Sequence, residues 1–224
     1  VDSTTCLGTG VSVIGLLPWK GLGLAALKDD SETCLWYAVS GHLKSSNRSY
    51  PVNADSDGAF QVRDTTGALL VGNAANTKAN AVAIIMAPHA PTASTALAQR
   101  RAVSPLSTRR VCPLPTLTSS TNTAIAQQYM DSATLATSTG SQTYDNWNVP
   151  TTVIQAGTPV TLKTFIQGYR GGESPYPLDG LNDQLAWITS DEFSKAITQY
   201  AANAAATALS RFYQPSDPVS SNFN

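Results

Sequence analysis

The sequence predicts an α+β fold, an antiparallel sheet packed against helices with a long amphipathic helix near the C-terminal end. Three observations predict it. Short β-prone runs bounded by turn residues crowd the first ninety positions. A helix-start signature at Thr189-Ser190-Asp191-Glu192 opens a run of apolar residues at helical spacing. Between these regions lie long Ala-, Ser-, Thr-, Pro- and Gly-rich stretches with no period.

Residues 1–28 hold turn signals and the short apolar segment 15–24, whose glycines and Pro18 oppose a continuous helix, so this part is expected to be irregular. Residues 29–89 are strand-rich. Leu35-Trp36-Tyr37-Ala38-Val39-Ser40 is aromatic and β-branched enough for a strand, and Gly41 ends it. Phe60-Gln61-Val62-Arg63 and Leu69-Leu70-Val71 flank Asp64-Thr65-Thr66-Gly67, the pattern of a hairpin. Ala81-Val82-Ala83-Ile84-Ile85-Met86 is apolar throughout and stops before Pro88, as a central strand does. Residues 90–120 form a long loop, 121–131 a helix, and 132–150 a polar loop. Strands are expected over 151–154 and 160–166, and the glycines and prolines of 167–182 require irregular chain. The last element is a helix over 189–213. Thr189 is its N-cap, with Glu192 reaching back and Ile188 and Phe193 at the hydrophobic-staple positions. Phe193, Ile197, Tyr200, Ala201, Ala204, Ala208 and Phe212 make one apolar stripe, expected to be the main cover of the sheet.

Only 13% of the residues are charged, and the net charge is −1. A typical chain carries about 25%. The near-neutral balance gives no electrostatic case for nucleic acid, and the doublets Arg100-Arg101 and Arg109-Arg110 read as solvated loop. The longest apolar run within the sequence falls well short of the ~20 residues of a spanning helix. The length admits one large domain, and a single soluble domain over 1–224 is the reading taken.

Four groups of residues are candidates for chemistry. His42 and His89 are the two histidines, and neither is accompanied by a nucleophile elbow or a zinc-helix motif. Asn53, Asp55 and Asp57 alternate before Gly58, with Asp64 in the twelfth position, as oxygen ligands of a calcium loop would. An Asn/Asp/Ser/Gly turn explains the same residues. Among the tryptophans, Trp36 and Trp187 lie in apolar elements and read as core, whereas Trp147, in a polar loop, is the exposed candidate for binding. Asn47-Arg48-Ser49 matches a glycosylation sequon. Cys6, Cys34 and Cys112 form no CxxC and favour disulfide use over a zinc site, with one thiol left over. No paired acid and base or activated nucleophile is visible, so neither an enzyme nor a cofactor or small-molecule substrate is expected.

Three segments in order resemble type IV pilin-like proteins (prepilin-type, pseudopilin-like or minor pilins) of Gram-negative bacteria. They are Leu17-Pro-Trp-Lys-Gly-Leu-Gly-Leu24, Cys34-Leu-Trp-Tyr-Ala-Val-Ser-Gly41 and Asn182-Asp-Gln-Leu-Ala-Trp-Ile-Thr-Ser-Asp-Glu-Phe193. Weaker echoes are Ala81-Val-Ala-Ile-Ile-Met-Ala-Pro88 and Cys112 followed by Gln128-Tyr-Met-Asp131. The pattern departs in an Ala/Thr-rich tail and in lacking an Arg after Asn182-Asp183.

The resemblance implies a pilin-like head, exported to the periplasm or cell exterior, and an upstream apolar helix that anchors the precursor in the inner membrane. It implies a subunit of a type IV pilus or type II secretion-like filament, with other pilin-like subunits as partners. The alternative is a surface-exposed binding module, an adhesin-like tip recognising a surface, a glycan or DNA. For the cysteines, the resemblance and the position of Cys112 at the end of a loop short of apolar anchors point to a Cys34–Cys112 disulfide, with Cys6 belonging to an upstream partner. A Cys6–Cys34 bridge and three free thiols remain as rivals.

Overall fold

The computed structural model describes residues 13–43, 56–73, 75–89, 126, 129–137, 140–147, 162–168, 181 and 183–212. Among the described residues the strands and the long helix order as β1 (Val13–Leu16), β2 (Trp36–Val39), β3 (Phe60–Arg63), β4 (Leu69–Val71), β5 (Ala81–Ala87), β6 (Ser132–Thr137), β7 (Gly140–Asp145), β8 (Lys163–Ile166), β9 (Gln184–Thr189) and α1 (Ser190–Phe212).

Strand β5 is the centre of a seven-stranded sheet. It pairs β2 antiparallel along one edge, from Trp36↔Met86 to Val39↔Ala83, and β9 antiparallel along the other, from Ala81↔Thr189 to Ala87↔Gln184. β1 extends the sheet beyond β2. Where β2 ends, β3 takes over, with Phe60 opposite both Ala81 and Lys163. β3 then pairs β4 through Val62↔Val71, and β8 runs the length of its other edge. The β3–β8 pair is parallel. The sheet is therefore mixed, which corrects the expectation of a purely antiparallel one. β6 and β7 form a separate antiparallel hairpin.

The apolar pattern of these strands places the main core on one face. Trp36, Phe60, Ile84, Met86 and Phe165 are fully buried there, with Phe60 and Phe165 edge to face at 5.4 Å between ring centroids. Trp36 meets Tyr129 at 5.9 Å. Interlocked aromatics of this kind exceed their area burial by about 0.5–1.5 kcal/mol a pair. A second cluster, Ala133, Leu135, Tyr144, Ile166 and Leu181, seats the β6–β7 hairpin against the end of β8.

A polar knot closes the gap between hairpin and sheet. Asp131, just before β6, and Asp183, just before β9, are buried, and each carboxylate accepts the other's backbone N–H, at 2.6 and 3.0 Å. Asn146, just after β7, donates to Asp183 Oδ2 at 2.9 Å and to the Ile166 carbonyl at 2.8 Å, and accepts from the Ile166 N–H at 2.8 Å. Buried polar groups persist only when so satisfied. The knot fixes where four strands begin or end.

Helix α1 starts at the capping box that the sequence announces. Glu192 Oε2 accepts from the Thr189 N–H and the Thr189 hydroxyl, each at 2.8 Å, and the Glu192 N–H donates to Thr189 Oγ1 at 3.2 Å. Its first residue is pinned as well, because the Ser190 N–H donates to the Asn80 carbonyl at 3.0 Å and its hydroxyl to the Ser56 carbonyl. Nearby, Gly58 is a steric necessity: a Cβ there would lie 2.4 Å from the Asn80 carbonyl oxygen.

Candidate functional site: an exposed helix face

Helix α1 does not cover the sheet. It contacts β5, β9 and the 3-10 turn Thr77–Ala79. Ser190 is buried, Phe193 and Ser194 are half-buried, and Lys195 through Ser210 are all exposed. This overturns the expectation that its apolar stripe packs inward. The physical reason lies in the composition: Ala196, Ala201, Ala202, Ala204, Ala205, Ala206 and Ala208 make the helix intrinsically stable while giving it little apolar area to bury. The core is instead filled by strand residues together with Ala126, Tyr129 and Met130.

What the helix displays is an uncharged surface. Between Lys195 and Arg211 no residue is ionisable in the neutral range, and Tyr200 is 77% exposed, Leu209 57% and Ile197 46%. Ile197, Tyr200, Ala204 and Ala208 fall at helical spacing on one side. Small residues between larger ones permit close backbone approach by a second helix. Polar neighbours bond within the helix itself, Gln199 Nε2 to Asn203 Oδ1 at 3.0 Å and the Thr207 hydroxyl to the Asn203 carbonyl at 2.8 Å.

The other candidates separate. His89, in a left-handed conformation (φ 53°), donates its N–H to Asp29 Oδ2 at 2.7 Å and sets Nδ1 2.5 Å from Asp30 Oδ1. Asp29 is also occupied at Oδ1 by Ser31 and Thr33. His89 therefore ties the end of β5 to the chain ahead of Cys34. His42 lies in the 3-10 turn Gly41–Leu43, remote in sequence from that cluster. Of the calcium-loop residues, Asn53 and Asp55 lie outside the described residues. Asp57 pairs with Lys78 Nζ at 3.0 Å. Asp64 spends Oδ1 on the Thr66 N–H, the Thr66 hydroxyl and the Ala68 N–H, shaping the β3–β4 turn. Among the described residues no three His, Cys, Asp or Glu side chains gather as metal ligands. Trp147 is half-buried against the main core rather than presented to solvent, which corrects the expectation of an exposed ring.

Cys34 is disulfide-bonded. Both candidate partners, Cys6 and Cys112, lie outside the described residues, as do the sequon and the two arginine doublets. Among the described residues no helix is long and apolar enough to cross a membrane.

No family model, curated protein or solved structure matches the chain. The segments that carry the pilin-like resemblance have an architectural explanation of their own. Leu17, Trp36, Tyr129, Asp131 and Asp183 are all buried; Trp36 packs on Tyr129, and Asp131 exchanges bonds with Asp183. Sequence reasoning missed that exchange. The signal was an Asp immediately before each of two β-prone runs, a placement that lets a carboxylate cap a strand start.

Proposed function

We propose that the chain is the exported head of a pilin-like structural subunit, working by assembly with other pilin-like subunits in a type IV pilus or type II secretion-like filament. One observation carries this reading: a helix of 23 residues that displays an uncharged apolar stripe outward instead of burying it. Stripes of this kind are normally covered by a partner. The Cys34 disulfide supports export, since such bonds persist in oxidising compartments.

The test is incorporation. In cells making the filament, Tyr200→Glu with Ala204→Glu should leave the protein folded and exported but cut its recovery in sheared filaments at least about tenfold, the equivalent of roughly 1.4 kcal/mol of interface. Normal incorporation of this variant, or retention of the wild-type protein in the cytosol, would sink the proposal.

A further inference from the structure

The chain between β1 and β2 carries a second exposed apolar surface, independent of the helix. Every residue from Lys20 to Lys28 is exposed, in the order Lys-Gly-Leu-Gly-Leu-Ala-Ala-Leu-Lys. Leu22 is 57% exposed, Leu24 45% and Leu27 41%. This loop is built to hold those side chains out. The Leu22 N–H donates to the Pro18 carbonyl at 3.0 Å, the Gly23 N–H to that of Lys20 at 3.1 Å and the Leu24 N–H to that of Trp19 at 2.8 Å. Gly23 takes the left-handed conformation (φ 67°) that lets the chain reverse between the two leucines. Its base is clamped by the Lys28↔Cys34 bridge, the Leu17 N–H to Leu35 carbonyl bond at 2.9 Å and the Cys34 disulfide. A soluble protein gains nothing by fixing three leucines toward water.

We propose that this loop docks on an anionic lipid surface, with Leu22, Leu24 and Leu27 entering the headgroup–acyl boundary. The flanking groups decide for lipid over a protein partner. Lys20 and Lys28 bracket the apolar span, one on each shoulder, where they meet phosphates as the leucines enter. Trp19 at the entrance is half-buried with the Lys20 ammonium 5.1 Å from its ring centroid, an amphipathic pair suited to the interface. The neighbouring acids Asp29 and Asp30 are engaged by other groups. Asp29 is bonded to Ser31, Thr33 and His89, Asp30 faces His89, and Glu32 sits in the left-handed turn. This proposal does not depend on the assembly reading, which concerns α1.

Co-sedimentation of the 224-residue protein with phosphatidylglycerol vesicles, and separately with phosphatidylcholine vesicles, tests it. Binding is expected to phosphatidylglycerol and to weaken about tenfold or more in Leu22→Ser with Leu24→Ser. Lys20→Gln with Lys28→Gln should weaken it on the order of tenfold and abolish the preference for the anionic vesicles. Leu70→Ser, at an exposed leucine on β4, should leave vesicle binding unchanged. Near-UV circular dichroism checks that the variants fold, and the lysine pair carries the test if the leucine pair does not. Absence of binding to phosphatidylglycerol, or binding unaffected by the loop substitutions, overturns the proposal. So does a loop variant that instead shifts the oligomeric state without lipid, which would assign the surface to a second copy.

Discussion

Lys163 sits at the start of β8, its ammonium 5.4 Å from the centre of the Phe165 ring and near Asp145. Burial lowers its pKa from 10.5 to about 8, against the opposing pull of the Asp145 carboxylate. A folded-state value below the unfolded one means the unfolded chain holds the proton longer, so stability rises with pH between about 8 and 10.5 and carries the full cost below 8. Lys163→Met should therefore raise the urea midpoint at pH 7 by the equivalent of about 1–3 kcal/mol and flatten that alkaline rise. An unchanged slope from pH 8 to 10 would show that the amine is hydrated. None of this was legible in the sequence, where Lys163 is one lysine in a run with β propensity. Its neighbourhood is made by β3 and β7, distant in the chain.

At the level of elements, legibility followed apolarity. β2, β3, β4 and β5 were read from runs whose side chains are mostly apolar, and they appear within a residue or two of the expected places. β8 was found inside the run expected as a strand over 160–166. β6 and β7 correct the expectation of a polar loop over 132–150: Ser, Thr, Gln and Gly dominate them, while Ala133, Leu135 and Tyr144 face inward. The irregular reading of 1–28 does not anticipate β1, and β9, along which Leu185 and Trp187 alternate, falls between the irregular 167–182 and the helix without a reading of its own. The capping box was legible because it is local, whereas the orientation of α1 was not: periodicity names a face without saying what covers it. The exposed helix makes a clear prediction. Thr189→Ala should cost about 1 kcal/mol through loss of the cap, while Ile197→Ser and Leu209→Ser should each stay within about 0.5 kcal/mol of the parent. Thermal midpoints that fall as far for Ile197→Ser as for the cap variant would mean that the stripe is buried after all. The Thr189 bonds also hold the Glu192 carboxyl below its ordinary value of 4.5. Its contribution is thus present above that pH and is lost as pH falls through the folded value.

Over the whole molecule, two devices join parts that the local sequence leaves separate. One is the polar knot of Asp131, Asn146 and Asp183. The other is the disulfide at buried Cys34, two residues ahead of β2. Replacing Cys34 with Ser should lower stability by about 2–4 kcal/mol through freedom regained by the unfolded chain. Dithiothreitol should then shift the urea midpoint of the parent far more than that of the variant, and an equal shift in both would place the important bond elsewhere. The mixed character of the sheet belongs to this scale too. β8 joins β3 in parallel from a hundred residues away, and parallel pairing needs a long crossover that no short-range pattern announces.

The junction at Thr189–Ser190 has a mechanical consequence. The strand becomes the helix without an intervening loop, so α1 is a stiff arm, roughly 34 Å long at 1.5 Å per residue, fixed directly to the sheet. There is no slack to absorb a pull. Force applied to the far end of the arm enters at β9, whose paired residues run the length of β5 beside it. Tension along that strand strains all those pairs together, as in a lap joint under shear, rather than peeling them one by one. A subunit held by this helix would hand traction straight to the centre of its own sheet.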